Sequence, residues 1–345
     1  MWVWIIGCKK NYLRSLIILL FIFILSCSKK TLSLYHRSQF LMGTVVEIKI
    51  VCDDETIAGE AIDQAFTKMR EIERIMSAKD PKSMVSRINN ESALHEIVIP
   101  PSLVEVIDTC LSYSADTEGA FDISIGSITK LWDFHQETPI LPSEESVRLA
   151  RKRVNYKWIE LDKEKSSLSL KREGMSLDLG AVAKGYSIDQ AACVLKRFGI
   201  SAGIINAGGD LMLFGQKPGN GPWNIGIQHP RKKNSLIENL RITDKAIVTS
   251  GDYERYFIIN NKRYHHILDP GTGWPAWGCQ SVSIIAPSAM IADIIATAVF
   301  VLGPEKGMKY IERSSLIEGM IIDSAGKKYY STGWKQDAAF QNLRE

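Results

Sequence analysis

The chain has 345 residues, which is enough for one large domain or two and for a buried core. Its formal net charge is +3, and because the first 26 residues contain three cations and no acidic residue, the remainder is formally neutral. A neutral remainder argues against nucleic-acid binding. The cysteines are scattered without a Cys-x-x-Cys pair, so a zinc site is not expected, and their spacing does not decide whether disulfides form.

The N-terminus has the pattern of an export signal. Three cations precede the apolar run 16–25, which is shorter than the roughly 20 residues that a membrane-spanning helix needs. The run ends in Ser26-Cys27, which resembles a bacterial lipoprotein box, although Leu25 is bulkier than usual. We therefore predict a signal peptide over residues 1–26 and lipid attachment to Cys27. A plain signal peptide and an uncleaved anchor are the alternatives.

The first half of the chain mixes strand and helix patterns. In chain order we predict a polar linker (28–39), a strand (40–50), a helix (Glu55–Met76), a polar connection (Ser83–Asn90), a helix (Pro101–Thr117), a strand or turn (119–125), an irregular segment (132–142) and a short helix (143–151). Strands and helices alternate without strict βαβ regularity. The fold class predicted from this pattern is α+β, with mixed sheets and helices.

The second half is richer in glycine and ends in an apolar helix. The predicted elements are a strand (167–177), a helix (Tyr186–Phe198) closed by Gly199, a strand with a tight turn (203–210), a strand (223–227), a small polar segment (249–255) and a helix (288–302) that stops at Gly303-Pro304. The last helix is apolar on every side, which predicts that it is buried.

The stretch Asp178–Asp189 combines a carboxylate, a small-residue turn and Lys184 at a predicted strand-to-helix junction. Backbone amides at a helix start, backed by a cation, form a good seat for a phosphate group. The alternative is an ordinary turn with a surface lysine.

Two further groups of residues carry chemistry. His265 and His266 lie beside Asp269 and a Pro-Gly-x-Gly turn, which favours a role as base or ligand. Asp293 and Thr297 are four residues apart on the apolar helix and so lie on one face of it. A buried carboxylate needs a partner, which is either a hard cation or, more often for a single Asp, an arginine or a helix N-terminus.

Taken together, short motifs in this sequence resemble those of the ApbE family of FAD:protein FMN transferases. They are Met42-Gly-Thr44, the segment 83–89, Gly119-Ala-Phe-Asp122, Asp178–Gly185, Asn206–Asp210, Ser250–Tyr253, His265–Gly273 and Ala292–Thr297. Each motif is weak alone, but their occurrence together in this order makes the resemblance specific. It covers residues 40 to 303.

The resemblance implies a mixed α+β domain over residues 40–335, distantly like the T-fold of tetrahydrofolate-dependent aminomethyl transfer proteins. It also implies an enzyme that cuts FAD at its pyrophosphate, passes FMN to a Ser or Thr hydroxyl of an acceptor flavoprotein and releases AMP. The family often acts outside the cytoplasmic membrane, so we expect an exported protein, anchored through Cys27 on the periplasmic side. Its usual acceptors are membrane-bound flavoprotein subunits.

The resemblance also assigns roles to individual residues. The implied Mg²⁺ ligands are the side chains of Asp293 and Thr297 and the backbone carbonyls of Ala181 and Ala296. The implied FAD contacts are Met42, Gly119, Ala120, Phe121, Asp122, Asp178, Lys184 and Ile267. His266 is the predicted base for the acceptor hydroxyl, with His265 as the alternative. Ala181 stands where a second glycine is common, and Ala296 where a polar residue often occurs, which implies one fewer side-chain ligand.

Two other functions stay open from the sequence. A FAD pyrophosphatase would use the same site with water as the acceptor, and a non-enzymatic lipoprotein would only bind flavin. The Asp293/Thr297 pair and the histidine pair argue against a pure binder, which needs neither. The sequence does not separate transferase from hydrolase, because the difference lies in acceptor access.

Overall fold

The structure is a computed structural model that describes residues 31–93, 95–134, 136, 138–219 and 221–334. The predicted signal peptide and Cys27 lie outside the described residues. Within the described ranges, no helix combines the length and the apolar character needed to cross a bilayer.

The described strands are β1 (Ser33–Leu41), β2 (Thr44–Cys52), β3 (Ile97–Val98), β4 (Ile159–Asp162), β5 (Ser167–Leu170), β6 (Ala202–Ala207), β7 (Asp210–Phe214), β8 (Trp223–Gln228), β9 (Leu236–Ile242), β10 (Lys245–Gly251), β11 (Tyr256–Ile259), β12 (Lys262–His265), β13 (Cys279–Ala286), β14 (Glu318–Asp323) and β15 (Lys328–Tyr330). An eight-stranded sheet has the order β1-β2-β6-β7-β10-β13-β14-β15, and each neighbouring pair is antiparallel. Smaller sheets pair β3-β5-β4, β8-β9 and β11-β12.

The described helices are α1 (Glu55–Met76), α2 (Met84–Glu91), α3 (Pro101–Asp116), α4 (Gly126–Thr129), α5 (Glu144–Arg151), α6 (Ala183–Arg197) and α7 (Ala289–Ile311). Asp54 caps α1 by accepting from the amides of Thr56 and Ile57, which explains why the helix begins there. The mixed helices and sheets confirm the α+β prediction.

The large sheet is covered on both faces, because successive apolar side chains of its central strands point to opposite faces of the sheet. On β10, Val248 packs with α1, α6 and α7, whereas its neighbour Ile247 packs with the β8–β9 hairpin on the other face. Ile284 and Ile285 on β13 repeat this division. This two-residue alternation places the helices on one side and the hairpin on the other.

Helix α7 is buried because two hydrophobic clusters meet on it. Ile295 and Val299 belong to the cluster beneath the large sheet, while Ile294 and Ala298 belong to a second cluster formed with α2, α3 and the small sheet β3-β5-β4. The predicted burial of this helix is confirmed. Gly303, with φ 77° and ψ 177°, interrupts it where the sequence predicts an end, and a further helical segment follows.

The predicted single strand over 40–50 is wrong, because the chain turns back on itself within it. Met42 and Gly43 have φ values of 53° and 72°, and they connect the end of β1 at Leu41 to the start of β2 at Thr44. A two-residue hairpin loop of this kind needs positive φ at both positions. The linker prediction is also wrong for residues 33–39, which form most of β1. This edge strand is largely exposed and lacks an apolar pattern.

Two other predicted segments need correction. The polar connection over Ser83–Asn90 is instead α2, capped by the Ser83 hydroxyl, which accepts from the Ser86 amide at 2.9 Å. The strand predicted over 167–177 ends at Leu170. Gly174, with φ 77°, turns the chain before Ser176 forms an isolated parallel bridge with Ile125.

Candidate active site

The candidate site lies where the loop 178–182 enters α6. The Asp178 amide donates to the Ile123 carbonyl at 2.8 Å, which joins this loop to the segment 119–125. The Asp178 carboxylate accepts from the Gly180 amide at 2.8 Å and so shapes the turn before the helix. Val182 precedes the first residue of α6, and no side chain of the described residues caps the helix there.

Helices α6 and α7 come very close at Gly185. A Cβ atom at this position would stand 2.3 Å from the Ala289 carbonyl oxygen, closer than real Cβ atoms approach. The absence of a side chain lets the Gly185 amide donate to Oδ2 of Asp293 at 3.1 Å. One turn further along α7, the Thr297 hydroxyl oxygen is 3.5 Å from that of Ser250 on β10. Asp293 and Thr297 therefore share a face that meets both α6 and β10.

A lysine and two carboxylates form the charged centre of the site. Lys184 makes an ion pair with Asp210, which begins β7 and is only 2% exposed. The other Asp210 oxygen accepts from the Thr249 amide at 3.3 Å. Burial of the ammonium opposes its charge, but the carboxylates of Asp210 and Asp293 outweigh this effect and raise the pKa of Lys184. Lys184 is therefore cationic at physiological pH.

Asp293 is a buried carboxyl group with few hydrogen bonds. It is 4% exposed, and burial raises its pKa to about 7 while the nearby Lys184 ammonium opposes the rise. Within the described part of the chain, its side chain accepts one hydrogen bond, from Gly185. A buried carboxylate of this kind is stabilised when additional positive charge approaches it.

The two adjacent histidines have different surroundings. His265 is 1% exposed; its Nε2 lies 2.9 Å from the Ala276 carbonyl oxygen, and its Nδ1 accepts from the Ile267 amide at 3.3 Å. Those contacts assign the ring proton to Nε2. His266 is half-buried, and its Nδ1 has no hydrogen-bond partner among the described residues. Of the two rings, His266 is the one with an uncommitted buried nitrogen.

Both histidines are neutral at physiological pH. Burial lowers the pKa of His265 to about 4 and that of His266 to about 3, and the Arg255 guanidinium adds to the effect at His266. The charge of Lys184 lowers the pKa of His266 further.

The hairpin tip at Met42 reaches the same region. Its sulfur accepts from the Ser187 hydroxyl at 2.9 Å, and its amide donates to Glu73 at 2.7 Å. The positive φ of 53° is unusual for a residue other than glycine and is found most often in turns and functional positions. Ile267, another predicted flavin contact, is 5% exposed and directly follows the histidine pair.

The segment 119–122 is held in shape by its own carboxylate. One oxygen of Asp122 accepts from the Ser124 amide at 2.8 Å and the other from the Tyr156 amide at 2.9 Å. Phe121 is 3% exposed, whereas Gly119 and Ala120 are partly accessible. Within this segment Gly119 and Ala120 are the more accessible residues, and the Asp122 carboxylate holds the main chain that follows in shape.

The predicted metal ligands differ in their surroundings. Asp293 and Thr297 lie together, and Ala181 is half-buried in the loop before α6. Ala296 is not exposed, and its carbonyl lies inside a helix, where carbonyl oxygens accept helical hydrogen bonds. In the described ranges no group of three or more His, Cys, Asp or Glu side chains is arranged to hold a metal. One carboxylate, one hydroxyl and a loop carbonyl nevertheless suit Mg²⁺, which keeps waters and substrate phosphates as ligands.

The sequence did not reveal the partner of Lys184. Asp210 is separated from it by 26 positions, and only its place directly after the Gly208-Gly209 turn, at the start of a strand, marks it. Gly208 is required there because its φ is 64° and a Cβ atom would lie 2.4 Å from the Thr44 hydroxyl oxygen. The turn therefore packs against the β1–β2 hairpin and places Asp210 beside α6.

A cation and a buried carboxylate at the start of a helix, beside a close-packed glycine turn, are typical of proteins that handle phosphorylated ligands. Comparison with known proteins defines the family. Residues 42–321 match the model of the ApbE family, and the chain belongs to that family. The resemblance drawn from the short motifs is confirmed.

Relatives and solved structures agree with this assignment. A FAD:protein FMN transferase of Vibrio cholerae is 31% identical over 337 residues, covering 94% of this chain and 98% of the relative. One of Treponema pallidum is 30% identical over 308 residues, covering 84% of each chain. The crystal structure of the ApbE protein of Thermotoga maritima superimposes with a TM-score of 0.82 at 32% identity, covering 89% of this chain and 99% of that one.

Proposed function

We propose that this protein transfers FMN from FAD to a Thr or Ser hydroxyl of an acceptor flavoprotein and releases AMP, with Mg²⁺ as cofactor. The observation that carries the proposal is that the Gly185 amide, next to Lys184 at the entry to α6, donates to the buried Asp293 carboxylate, in a chain whose relatives are named FAD:protein FMN transferase. Of the other predicted flavin contacts, the segment 119–122 directly precedes Ile123, which accepts from the Asp178 amide, and Met42 contacts Ser187 on α6.

Lys184 is the residue that we assign to the FAD pyrophosphate. Its compact ammonium suits a phosphate, and its pKa keeps it charged. Asp210 holds the ammonium in place through the ion pair. Lys184 is therefore positioned before substrate arrives. An incoming pyrophosphate then competes with Asp210 for the same cation.

Asp293, Thr297 and the Ala181 carbonyl are the groups that would hold Mg²⁺. When bound, the ion neutralises charge on the phosphates during transfer. The raised pKa of Asp293 supports this assignment, since a buried carboxyl group without enough positive charge nearby is the one that a cation stabilises. Ala296 stays a sequence prediction and is left out of the proposed set.

His266 is the base in this proposal. Its neutral ring takes the proton of the acceptor hydroxyl, whose oxygen forms a bond to the flavin-side phosphorus while the bond from that phosphorus to the bridging oxygen breaks and AMP leaves. Arg255 and Lys184 disfavour the protonated ring in the free protein. The anionic pyrophosphate offsets those cations, so the ring becomes more basic when FAD is bound.

The decisive experiment separates a transferase from a FAD pyrophosphatase. The mature protein is incubated with FAD and Mg²⁺, with and without a Thr-bearing acceptor peptide. The mass of the peptide is measured by mass spectrometry, and the breakdown of FAD is followed in both reactions. We expect covalent FMN on the peptide and slow FAD breakdown without it, because a transferase holds the in-line position for the acceptor oxygen. Rapid FAD breakdown that the peptide does not change would identify a pyrophosphatase.

His266→Ala in the same assay tests the base. We expect transfer to slow on the order of 10²-fold or more, the usual effect of losing a general base. Its control is His36→Ala, on the exposed strand β1 and paired there with Glu47, which should transfer FMN at the wild-type rate. Equal rates for wild type and His266→Ala would remove His266 from the mechanism.

Export and lipid anchoring are also part of the proposal, supported by the leader pattern up to Ser26-Cys27. Cys27→Ser should give an unprocessed or soluble protein when membranes are fractionated and the N-terminus is determined. A processed Cys27→Ser protein that still partitions into the membrane would refute lipidation at this residue.

A further inference from the structure

The Asp189 side chain on α6 forms hydrogen bonds with the first turn of α7. One of its carboxylate oxygens accepts from the Ala289 amide at 2.8 Å, and the other accepts from the Ser288 hydroxyl at 2.7 Å and the Met290 amide at 2.9 Å. These three donors occupy both oxygens. The carboxylate therefore joins the two helices through strong, charge-assisted hydrogen bonds.

The contact between Asp189 and α7 lies one helical turn away from Asp293, the candidate metal ligand. Asp189 follows Gly185 by four residues on α6, and Asp293 follows Ala289 by four residues on α7. The two inter-helix contacts, Asp189 with the start of α7 and Gly185 with Asp293, therefore lie on one seam. A shift of α7 at the first contact moves Asp293 at the second.

Capping alone does not explain Asp189, since α7 has its own cap. The Ser288 hydroxyl accepts from the Ile291 amide at 3.3 Å, in the usual N-cap position of a helix. The Asp189 carboxylate comes from a different helix, about 100 positions earlier in the chain. Its specific effect is to fix where α7 stands relative to α6.

We propose that Asp189 is a positioning residue for the metal site: it fixes the first turn of α7 against α6 and so places Asp293 beside Lys184 and the loop of Ala181. The inference rests on the proposed function, because it takes Asp293 to be a Mg²⁺ ligand. Residues that orient metal ligands from behind are needed for affinity as well as for activity.

The experiment measures metal binding without turnover. Mn²⁺ serves as the probe, titrated into the full mature protein with FAD present and acceptor absent, and free Mn²⁺ is followed by electron paramagnetic resonance. The variants are Asp189→Ala, Asp189→Asn, Asp293→Ala and the control Asp54→Ala. Asp54 caps α1 by accepting from two amides, so its loss removes a similar set of hydrogen bonds from a helix without proposed metal ligands.

Asp189→Ala should weaken Mn²⁺ binding about 10- to 100-fold, the usual effect of losing a residue that supports a metal ligand. Asp189→Asn should fall between this variant and wild type, because one oxygen remains to accept hydrogen bonds. Asp54→Ala should bind Mn²⁺ like wild type even where its melting temperature drops. If Asp189→Ala does not fold, Asp189→Asn and Ser288→Ala decide, and both should show weaker binding.

The outcomes distinguish this inference from the proposed function. Wild-type affinity in the Asp189 variants, together with loss of binding in Asp293→Ala, would refute the positioning role and leave the metal site standing. An equal loss in Asp54→Ala would also refute it, since the effect would then reflect stability alone. Unchanged binding in Asp293→Ala would overturn the metal site itself, and the role of Asp189 with it.

Discussion

The first turns of α6 and α7 each receive a carboxylate from the other helix, but the two carboxylates are used differently. Asp189 gives both oxygens to three donors at the start of α7. Asp293 accepts, within the described residues, a single hydrogen bond from Gly185 in the first turn of α6. A carboxylate with three donors on its two oxygens is a structural link, whereas one buried with a single donor has most of its acceptor capacity left for a ligand.

The start of each helix reflects the same difference. Ser288 caps α7, so this helix has an anchored first turn. Val182 offers no side-chain cap to α6, and Lys184 stands there instead, paired with Asp210. The pair of helices thus combines a firmly held element with one that presents a cation, an arrangement that suits the phosphate binding proposed above.

The largest effect should come from Asp293→Ala, which removes the carboxylate with spare capacity. We expect Mg²⁺-dependent FMN transfer to fall by at least about 10³-fold, because a bound ion contributes several kcal/mol of charge stabilisation. The fold should survive, since Lys184 keeps Asp210 as its partner. Kinetics across a Mg²⁺ titration and a thermal melt measure both effects. Full activity of this variant, or of wild type in excess chelator, would show that the Asp293 carboxylate does not hold a metal needed for transfer.

Lys184→Met tests the cation at the start of α6. Asp210 is 2% exposed and would lose its partner, so we expect about 3 kcal/mol of lost stability, together with weaker FAD binding. Urea unfolding and FAD titration measure the two effects separately. The double variant Lys184→Met/Asp210→Asn should regain most of the stability but not FAD binding. Recovery of FAD binding in the double variant would show that Lys184 does not contact the substrate.

Gly185→Ala tests the close approach of the helices. The added Cβ would meet the Ala289 carbonyl oxygen at 2.3 Å, so we expect a loss of about 1–3 kcal/mol and weaker Mg²⁺ dependence as Asp293 shifts. Gly59→Ala in α1 is the matched control. Its Cβ would meet only the end of the flexible Arg37 side chain at 3.1 Å, so a gain of about 0.5–1 kcal/mol is expected. Similar urea midpoints for the two variants would refute a tight seam.

The effect of pH that we expect near neutrality is small, and it involves His265, whose two ring nitrogens both have hydrogen-bond partners. Burial lowers the folded-state pKa of His265 from 6.5 to about 4, so between these values the unfolded chain binds the extra proton and stability rises with pH. The contribution is complete above about pH 6.5 and is lost as pH falls towards 4, at no more than about 1.4 kcal/mol per pH unit. Urea unfolding from pH 7 to pH 4 should show a steeper loss for wild type than for His265→Asn. If the free energy of unfolding depends on pH equally in wild type and His265→Asn, His265 does not cause this loss of stability.

The sequence alone was sufficient for the fold class and for naming the residues of the candidate site, whose roles stay predictions. Helical periodicity marked α1, α3 and α7, because long amphipathic or wholly apolar stretches record which faces are buried. The four-residue spacing of Asp293 and Thr297 is by itself enough to place them on one face of a helix. Local patterns failed for short or polar elements such as α2 and the edge strand β1, whose positions depend on the partners that they pack against.

The tertiary structure decided which groups act on one another. Asp210 meets Lys184 across 26 positions, and Asp189 meets the start of α7 across about 100. No local pattern encodes such distances, because they follow from how the sheet and the two helices pack. The same holds for the histidine pair, whose members are adjacent in sequence. Only packing commits the ring of His265 to hydrogen bonds and leaves Nδ1 of His266 without a partner among the described residues, since burial and hydrogen bonding depend on the surrounding fold.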